Sequence, residues 1–329
     1  MTKLRLGILS TARIAERRVV PAIQNSLNAV VSAVASRDET RARDFAARHT
    51  IPKAFGSYET LLADAEINAV YIPLPNSMHG EWTLKAAQAG KHVLCEKPFA
   101  ANASEVDTMI AACAVNNVVL MEAFMYRFHP QTVKVIELVR GGAIGAVKLV
   151  RAAFCFPVAQ ETNIRLNAAL AGGSLMDVGT YCVNAARTII EAEPQSVVAL
   201  AQFGAASKVD EAMAGALQFA NGALATFDCG FRSAYRQHYE IIGERGRIEA
   251  PKPFITNNTE THILLHHPDD RVETFTFPPV DQYTLMAEHF ADCVLRGQPL
   301  RYPASEGRAQ MRTLDALYES AKTGKAVSV

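Results

Sequence analysis

The feature that most restricts this chain is an alternation, over roughly its first 120 residues, of short β-branched runs with helix-patterned stretches. The strand-like runs fall at 4–9, 29–35, 69–72, 92–96 and 118–122. Helical patterns fill the gaps at 14–25, 40–49, 58–63, 79–89 and 103–116. Strands separated by helices form βαβ units, because two adjacent parallel strands need a crossover and the right-handed one returns onto the sheet. Thr40 and Ser57 stand where N-caps belong, and Gly90 and Asn117 stand where helices stop. The expectation is an α/β chain that opens with a doubly wound parallel sheet of the Rossmann type.

Beyond a helix at 130–140 the texture changes. Strand-like runs at 145–156, 196–203, 211–219, 223–230 and 235–243 follow one another, continued by 247–250, 262–266 and 273–277. Asn221-Gly222 between two of them is a strong hairpin signal. Helical stretches at 284–295 and 306–323 close the chain. At 329 residues, two domains are expected. The first, 1–123, is a Rossmann dinucleotide-binding domain. The second, 124–329, is an α+β domain with a large, mostly antiparallel open sheet that binds substrate and oligomerises, its C-terminal helix packing back on the first domain.

Composition removes several classes of function. Lys+Arg and Asp+Glu balance at 33 each, so no overall field draws nucleic acid or anionic lipid. No apolar run approaches the roughly 20 residues of a membrane span. Thr11, Arg13, Glu16 and Arg17 interrupt the first apolar run too early for a secretory leader. Six scattered cysteines without a CxxC pair read as buried free thiols in a reducing cytoplasm.

The first strand runs into Ser10-Thr11-Ala12-Arg13-Ile14-Ala15. A dinucleotide turn wants Gly-x-Gly-x-x-Gly/Ala here, so that backbone N–H groups can approach pyrophosphate at a helix N-terminus. Ser10, Ala12 and Ala15 occupy the three small slots. Small residues keep the turn passable, and the Ser10 or Thr11 hydroxyl can itself donate to phosphate. A plain turn without a nucleotide is the other reading of this segment. At the tip of the second strand, Ser36 and Arg37 offer a hydroxyl and a planar cation suited to a 2′-phosphate. NADP is therefore favoured over NAD, with Asp38 keeping NAD possible; a solvated arginine at a helix start is the bland alternative.

Ligands of open α/β sheets bind outside the carboxyl ends of the strands. The third expected strand exits into Pro73-Leu74-Pro75-Asn76-Ser77-Met78-His79, and the fourth into Glu96-Lys97-Pro98. A Glu-Lys pair at a strand tip can be a surface ion pair; followed by proline it reads more as a positioned lysine. Downstream lies Gly172-Gly173-Ser174-Leu175-Met176-Asp177-Val178-Gly179-Thr180-Tyr181. Asp177 and Tyr181 are four apart and share a face if helical. By themselves they are equally a helix N-terminal acid and a core tyrosine.

Together these segments resemble the glucose–fructose oxidoreductase and inositol 2-dehydrogenase (Gfo/Idh/MocA) family over nearly the whole chain. Tyr181 stands where that family commonly has histidine, and Ala171 where a third glycine is common. Tyr181, with 122–130, is similar to the branch of dimeric dihydrodiol dehydrogenases and NADP-dependent D-xylose 1-dehydrogenases. The resemblance implies hydride transfer between nicotinamide and a CH–OH or C=O carbon of a sugar, polyol or cyclic vicinal diol. It implies cofactor contacts from the first turn, Ser36, Arg37, Leu74, Pro75, Asn76, His79, Glu96 and Lys97. Such a reaction needs a proton donor and acceptor at the oxygen. Tyrosine, with a pKa of roughly 10, serves if a nearby ammonium favours its phenolate. Tyr181 is thus the expected acid/base, Lys97 its electrostatic partner, and Asp177 an orienting acceptor. Asn163 and Arg165 are substrate-binding candidates, with surface residues as the alternative. No metal site is expected from the histidine spacing. The expected partner is a small hydroxylated molecule, with neither nucleic acid nor membrane, in a homodimer or higher homo-oligomer. Two rival readings are a keto-sugar reductase on the same fold and a sensor that binds NADP without turnover.

Overall fold

Four consecutive apolar residues, Ala69–Ile72, are all buried, as a parallel sheet covered on both faces requires. They form β4 of a six-stranded, all-parallel sheet with β1 (Leu4–Leu9), β2 (Ala29–Ala35), β3 (Lys53–Phe55), β5 (His92–Cys95) and β6 (Leu120–Glu122). The order across the sheet is 3-2-1-4-5-6, so the winding direction reverses between β1 and β4. Helices α1 (Val20–Asn25), α2 (Glu39–His49), α3 (Tyr58–Leu62), α4 (His79–Gln88) and α5 (Ala103–Val115) connect these strands. The computed structural model describes residues 2–329.

Local chemistry sets the helix ends. Ser57 caps α3, its hydroxyl accepting from the Thr60 N–H. Thr40 does not cap α2, contrary to expectation: Asp38 does, accepting from the N–H groups of Thr40 and Arg41. The chain is still extended at Asp38 as it leaves β2, and a carboxylate satisfies two orphan donors there. Gly90 (φ +69°) and Asn117 (φ +52°) take the left-handed conformation that ends α4 and α5. The edge strand β3 was not foreseen, since three half-buried residues show no alternation.

The second sheet has nine strands: β7 (Val147–Cys155), β8 (Pro194–Phe203), β9 (Asp210–Phe219), β10 (Leu224–Gly230), β11 (Arg236–Gly243), β12 (Arg247–Ala250), β13 (Thr261–His266), β14 (Val272–Phe277) and β15 (Val327–Ser328). Their order is 14-13-12-11-7-10-9-8-15, antiparallel except where β7 runs beside β10. Asn221-Gly222, with Gly222 at φ +83°, turns β9 into β10 as the hairpin signal required. Helix α6 (Pro130–Arg140) packs on β13, and α7 (Thr180–Ile190) packs on β7 and β10. The face under these helices buries Val150, Ala152, Phe154, Phe227, Tyr239 and Ile241. The register sets Arg151 opposite Glu240 and Leu224 opposite Leu149 on the other face. Two helices close the chain, α8 (Gln282–Arg296) and α9 (Ala304–Thr323).

Contacts divide the molecule into two units. One runs up to Phe128 and takes in Asp281–Arg308, including α8; the other is His129–Val280 with Ala309–Val329.

His129, which opens the second unit, is buried and caps α6: its Nδ1 accepts the Gln131 N–H at 3.2 Å. Only the neutral ring can accept there, and burial pushes the imidazole pKa down to about 4. Because the folded value lies below the unfolded value of about 6.5, the stabilisation is complete above pH 6.5 and is lost as pH falls towards 4. The difference is on the order of 3 kcal/mol at its limit. Denaturant unfolding of wild type and His129→Asn, which keeps a capping acceptor, at pH 7.5 and pH 5 tests this. Wild type should lose more stability on acidification; equal losses would remove His129 as the cause.

Candidate active site

The turn after β1 keeps the backbone of a glycine without the residue. Ser10 sits at φ +149°, a conformation L-residues rarely adopt, in the first slot of the dinucleotide turn. Ala15, in the third slot, is fully buried where a larger side chain would part helix from strand. The helix opens with a widened turn, the Val20 N–H reaching back five residues to the Ala15 carbonyl. Small side chains and a freshly opened helix fit a pyrophosphate: Ser10, Thr11, Ala12, Arg13 and Ile14 are the residues that would hold it.

At the end of β2, Ser36 is buried and its hydroxyl accepts the Asp38 N–H at 3.2 Å. Arg37 is exposed, and its charge lies close enough to the Tyr58 side chain to be felt by the phenol. Burial raises the Tyr58 pKa, and the Arg37 charge acts against that rise. Tyr58 itself stands edge-on to Trp82. Asp38 is committed to capping α2. Nothing in the local pattern around Tyr58 marked it as the partner of Arg37.

The β4 and β5 exits are joined by one side chain. His79, fully buried, places Nδ1 2.9 Å from the Pro98 carbonyl and Nε2 2.9 Å from the Leu74 carbonyl. Burial lowers its pKa against the pull of these carbonyls. Both ring nitrogens therefore face backbone carbonyls; the neutral ring donates its one N–H to one of them and packs between the two loops. Pro75 and Asn76 lie between, where a short helical turn, Asn76–Met78, starts. Glu96 accepts the Tyr71 hydroxyl at 2.5 Å and, with its other oxygen, the Lys97 N–H at 3.3 Å. Lys97 is half-buried, and its peptide bond to Pro98 is cis.

In the second unit the glycine turn is dictated by close approach. A Cβ on Gly172 would stand 2.4 Å from the Arg165 carbonyl oxygen. Ala171, in the place of a third glycine, takes the left-handed conformation at φ +53°. The chain then enters a five-residue widened turn, Leu175–Gly179, closed by the Thr180 N–H on the Leu175 carbonyl. Such turns cluster at functional sites. Asp177, within it, accepts from Arg165 Nε at 2.6 Å. Asn163 accepts the Arg165 N–H with its side chain, capping the short turn Ile164–Leu166. Asn163, Arg165 and Asp177 thus form one cluster, in which Arg165 orients the carboxylate. Tyr181 follows on the first turn of α7, buried, its ring centroid 5.5 Å from Phe154 and 5.4 Å from Phe254. Neither phenylalanine was singled out from sequence, because an apolar strand residue and a lone loop aromatic look like ordinary core. Among the described residues, no group of three or more His, Cys, Asp or Glu side chains is disposed to hold a metal ion, and no helix is long and apolar enough to cross a membrane.

A parallel sheet with a dinucleotide turn at its reversal point, followed by a large open sheet bearing a polar cluster, defines a nicotinamide-dependent oxidoreductase. Residues 4–124 match the model of the oxidoreductase family with NAD-binding Rossmann fold, and residues 132–249 match the GFO/IDH/MocA C-terminal domain. The chain belongs to the Gfo/Idh/MocA family. It is 44% identical to D-xylose 1-dehydrogenase (NADP(+)) 2 of Haloferax volcanii over 99% of this chain and 100% of that one. It is 35% identical to trans-1,2-dihydrobenzene-1,2-diol dehydrogenase of Xenopus laevis, covering 88% of this chain and 89% of that one. Among solved structures, a 3-ketoreductase from Actinomadura kijaniata, crystallised with NADP and TDP-benzene, superimposes with a TM-score of 0.92 at 31% identity, covering 97% of this chain and 98% of that one.

Proposed function

We propose that the chain moves a hydride between NADP(H) and a CH–OH or C=O carbon of a sugar or cyclic vicinal diol, with Tyr181 as acid/base, Lys97 as its cationic partner and Asp177 as an orienting acceptor. One observation supports this most: Tyr181 follows, by one turn, a carboxylate whose direction is set by Arg165 at 2.6 Å. Relatives add weight. The Haloferax and Actinomadura proteins are named for, or were crystallised with, NADP. Structures of the 3-ketoreductase include a tyrosine-to-phenylalanine and a lysine-to-alanine variant. The two substituted positions are as far apart along that chain as Lys97 and Tyr181 are along this one.

NADP(H), when bound, supplies or accepts the hydride. The chain's own residues do the rest. Tyr181 gives a proton to, or takes it from, the reacting oxygen; the Lys97 ammonium stabilises the phenolate and donates a hydrogen bond to that oxygen; Arg165 and Asn163 fix Asp177 and border the substrate. The six buried thiols suit a reducing cytoplasmic setting. The helix-free face of the nine-stranded sheet, where Leu200 is 75% and Leu224 47% exposed among ion pairs such as Arg247–Glu240 at 3.0 Å, suits pairing with a second copy of this chain.

Tyr181→Phe should lower kcat by about 10²–10⁴ while NADP(H) affinity, read by cofactor fluorescence, stays unchanged. Lys97→Met should also slow turnover, and the pH at which the oxidation rate rises should move upward. A Tyr181→Phe enzyme of near-normal kcat on a sugar and diol panel would reject the assignment. For the cofactor, Arg37→Ala should raise the Kd for NADP by about 10- to 100-fold, the worth of a hydrogen bond between charges, and leave that for NAD nearly unchanged; equal losses would contradict a 2′-phosphate role. For assembly, light scattering at micromolar concentration should give at least twice the chain mass. A mass near 35.7 kDa would exclude pairing through the sheet.

A further inference from the structure

Several buried polar groups of the second unit that the proposed chemistry does not use meet at one place, the turn that launches Tyr181. Asp210, the first residue of β9, is fully buried. One of its oxygens accepts the Ser174 hydroxyl and the Leu175 N–H, both at 2.7 Å, and the other accepts the Tyr318 hydroxyl of α9, also at 2.7 Å. All three donors are neutral. Burial raises the carboxyl pKa and the three donors pull it back. A buried charge held this way costs stability that an apolar residue would not.

What the carboxylate fixes is specific. Ser174 and Leu175 are the residue before and the first residue of the widened turn Leu175–Gly179. A Cβ on Gly173, which lies at φ +126°, would stand 2.1 Å from the Asp210 carboxylate and 2.7 Å from the Tyr318 hydroxyl. The glycine and the Asp210–Tyr318 pair are therefore parts of one arrangement. At the far end of the turn, Gln310 of α9, also fully buried, donates to the Thr180 carbonyl at 2.9 Å and to its hydroxyl at 3.1 Å. Its own carbonyl accepts from Arg187 of α7 at 2.8 Å. Gln310 and Tyr318 are eight apart on α9 and share a face. One face of α9 thus grips the turn before Tyr181 at both ends.

We infer that Asp210, Tyr318 and Gln310 are positioning residues that lock the register of the helix bearing Tyr181. The inference rests on the assignment of Tyr181 as acid/base. A turn with five-residue bonds is poorer than α-helix and relaxes by giving up its extra residue. A slip of one residue rotates every following side chain by about 100°, which would take the Tyr181 hydroxyl away from a substrate oxygen. The two-ended grip prevents that slip.

A double-mutant cycle tests the inference. Tyr318→Phe and Asp210→Asn are made singly and each combined with Tyr181→Phe, with kcat, KM and NADPH fluorescence read for all. Each single variant should lose about 10- to 100-fold in kcat, the scale of a misplaced reacting group, with KM and cofactor affinity near wild type. In the Tyr181→Phe background the same substitutions should change kcat less than about twofold. The same loss in both backgrounds, or wild-type kcat in the single variants, overturns the positioning role. Tyr181→Phe alone reads the acid/base assignment separately: near-normal kcat there sinks that assignment and this inference with it. Should Asp210→Asn not fold, Tyr318→Phe decides, since it removes one hydroxyl and leaves Asp210 its bonds to Ser174 and Leu175.

Discussion

A parallel sheet cannot be closed by hairpins. Each strand must hand the chain to a crossover, so every strand ends at the same edge of the sheet. In the six-stranded sheet this brings the exits of β1, β2, β4 and β5 to one side, and the reversal between β1 and β4 opens the crevice there. The residues proposed to hold the cofactor lie along that edge: Ser10 to Ile14, Ser36 and Arg37, Leu74 to His79, and Glu96 with Lys97. His79 ties the topology together by packing its ring between the carbonyls of two different exits, donating its one N–H to one of them when neutral. The chemistry of this unit is thus a consequence of how parallel strands must be connected.

How much of this was legible depended on whether a signal was local. Strands β1, β2 and β4 and helix α6 could be read to the residue, because apolar runs and a Pro at the first helical turn are local signals. The Asn-Gly hairpin and the Gly90 and Asn117 stops were equally plain. Asp38 taking the cap from Thr40 was not, since which of two adjacent polar residues is still extended depends on where β2 releases the chain. In the site, Asp177 and Tyr181 could be named from spacing and resemblance. Arg165 was legible as a substrate-binding candidate but not as the partner of Asp177, because that partner lies 12 residues away across a turn whose shape was unknown. Tyr58, Asp210, Gln310 and Tyr318 were silent for the same reason: a lone polar residue declares its role only when folding brings its partners to it.

Two of the departures from the glycine pattern share a lesson. Ser10 and Ala171 stand where glycine is usual, and both keep the backbone a glycine would have, at φ +149° and +53°. Residues with a Cβ hold such conformations at a cost of order 1–3 kcal/mol, and only where the surroundings over-determine them. Both positions open a turn that widens into five-residue bonds, Ala15–Val19 in one unit and Leu175–Gly179 in the other. A pattern search for glycine misses both turns, whereas the dihedral angles find them.

Tyrosine in place of the histidine commoner at this position changes the mechanical demands on the helix. Phe154 and Phe254 flank the Tyr181 ring and fix its plane, but a phenyl ring offers a phenolate no hydrogen bond, so charge must be met by other groups. The phenolic oxygen also lies farther from the backbone than either imidazole nitrogen. A small rotation of α7 therefore moves it farther than it would move an imidazole. On the role proposed for Tyr181, a reactive atom at the end of a long, rigid side chain tolerates less error in helix register, which the inference above places under the control of the widened turn. That is where Asp210 and Gln310 act, and it gives a physical reason for a buried carboxylate with three neutral donors to persist beside the site.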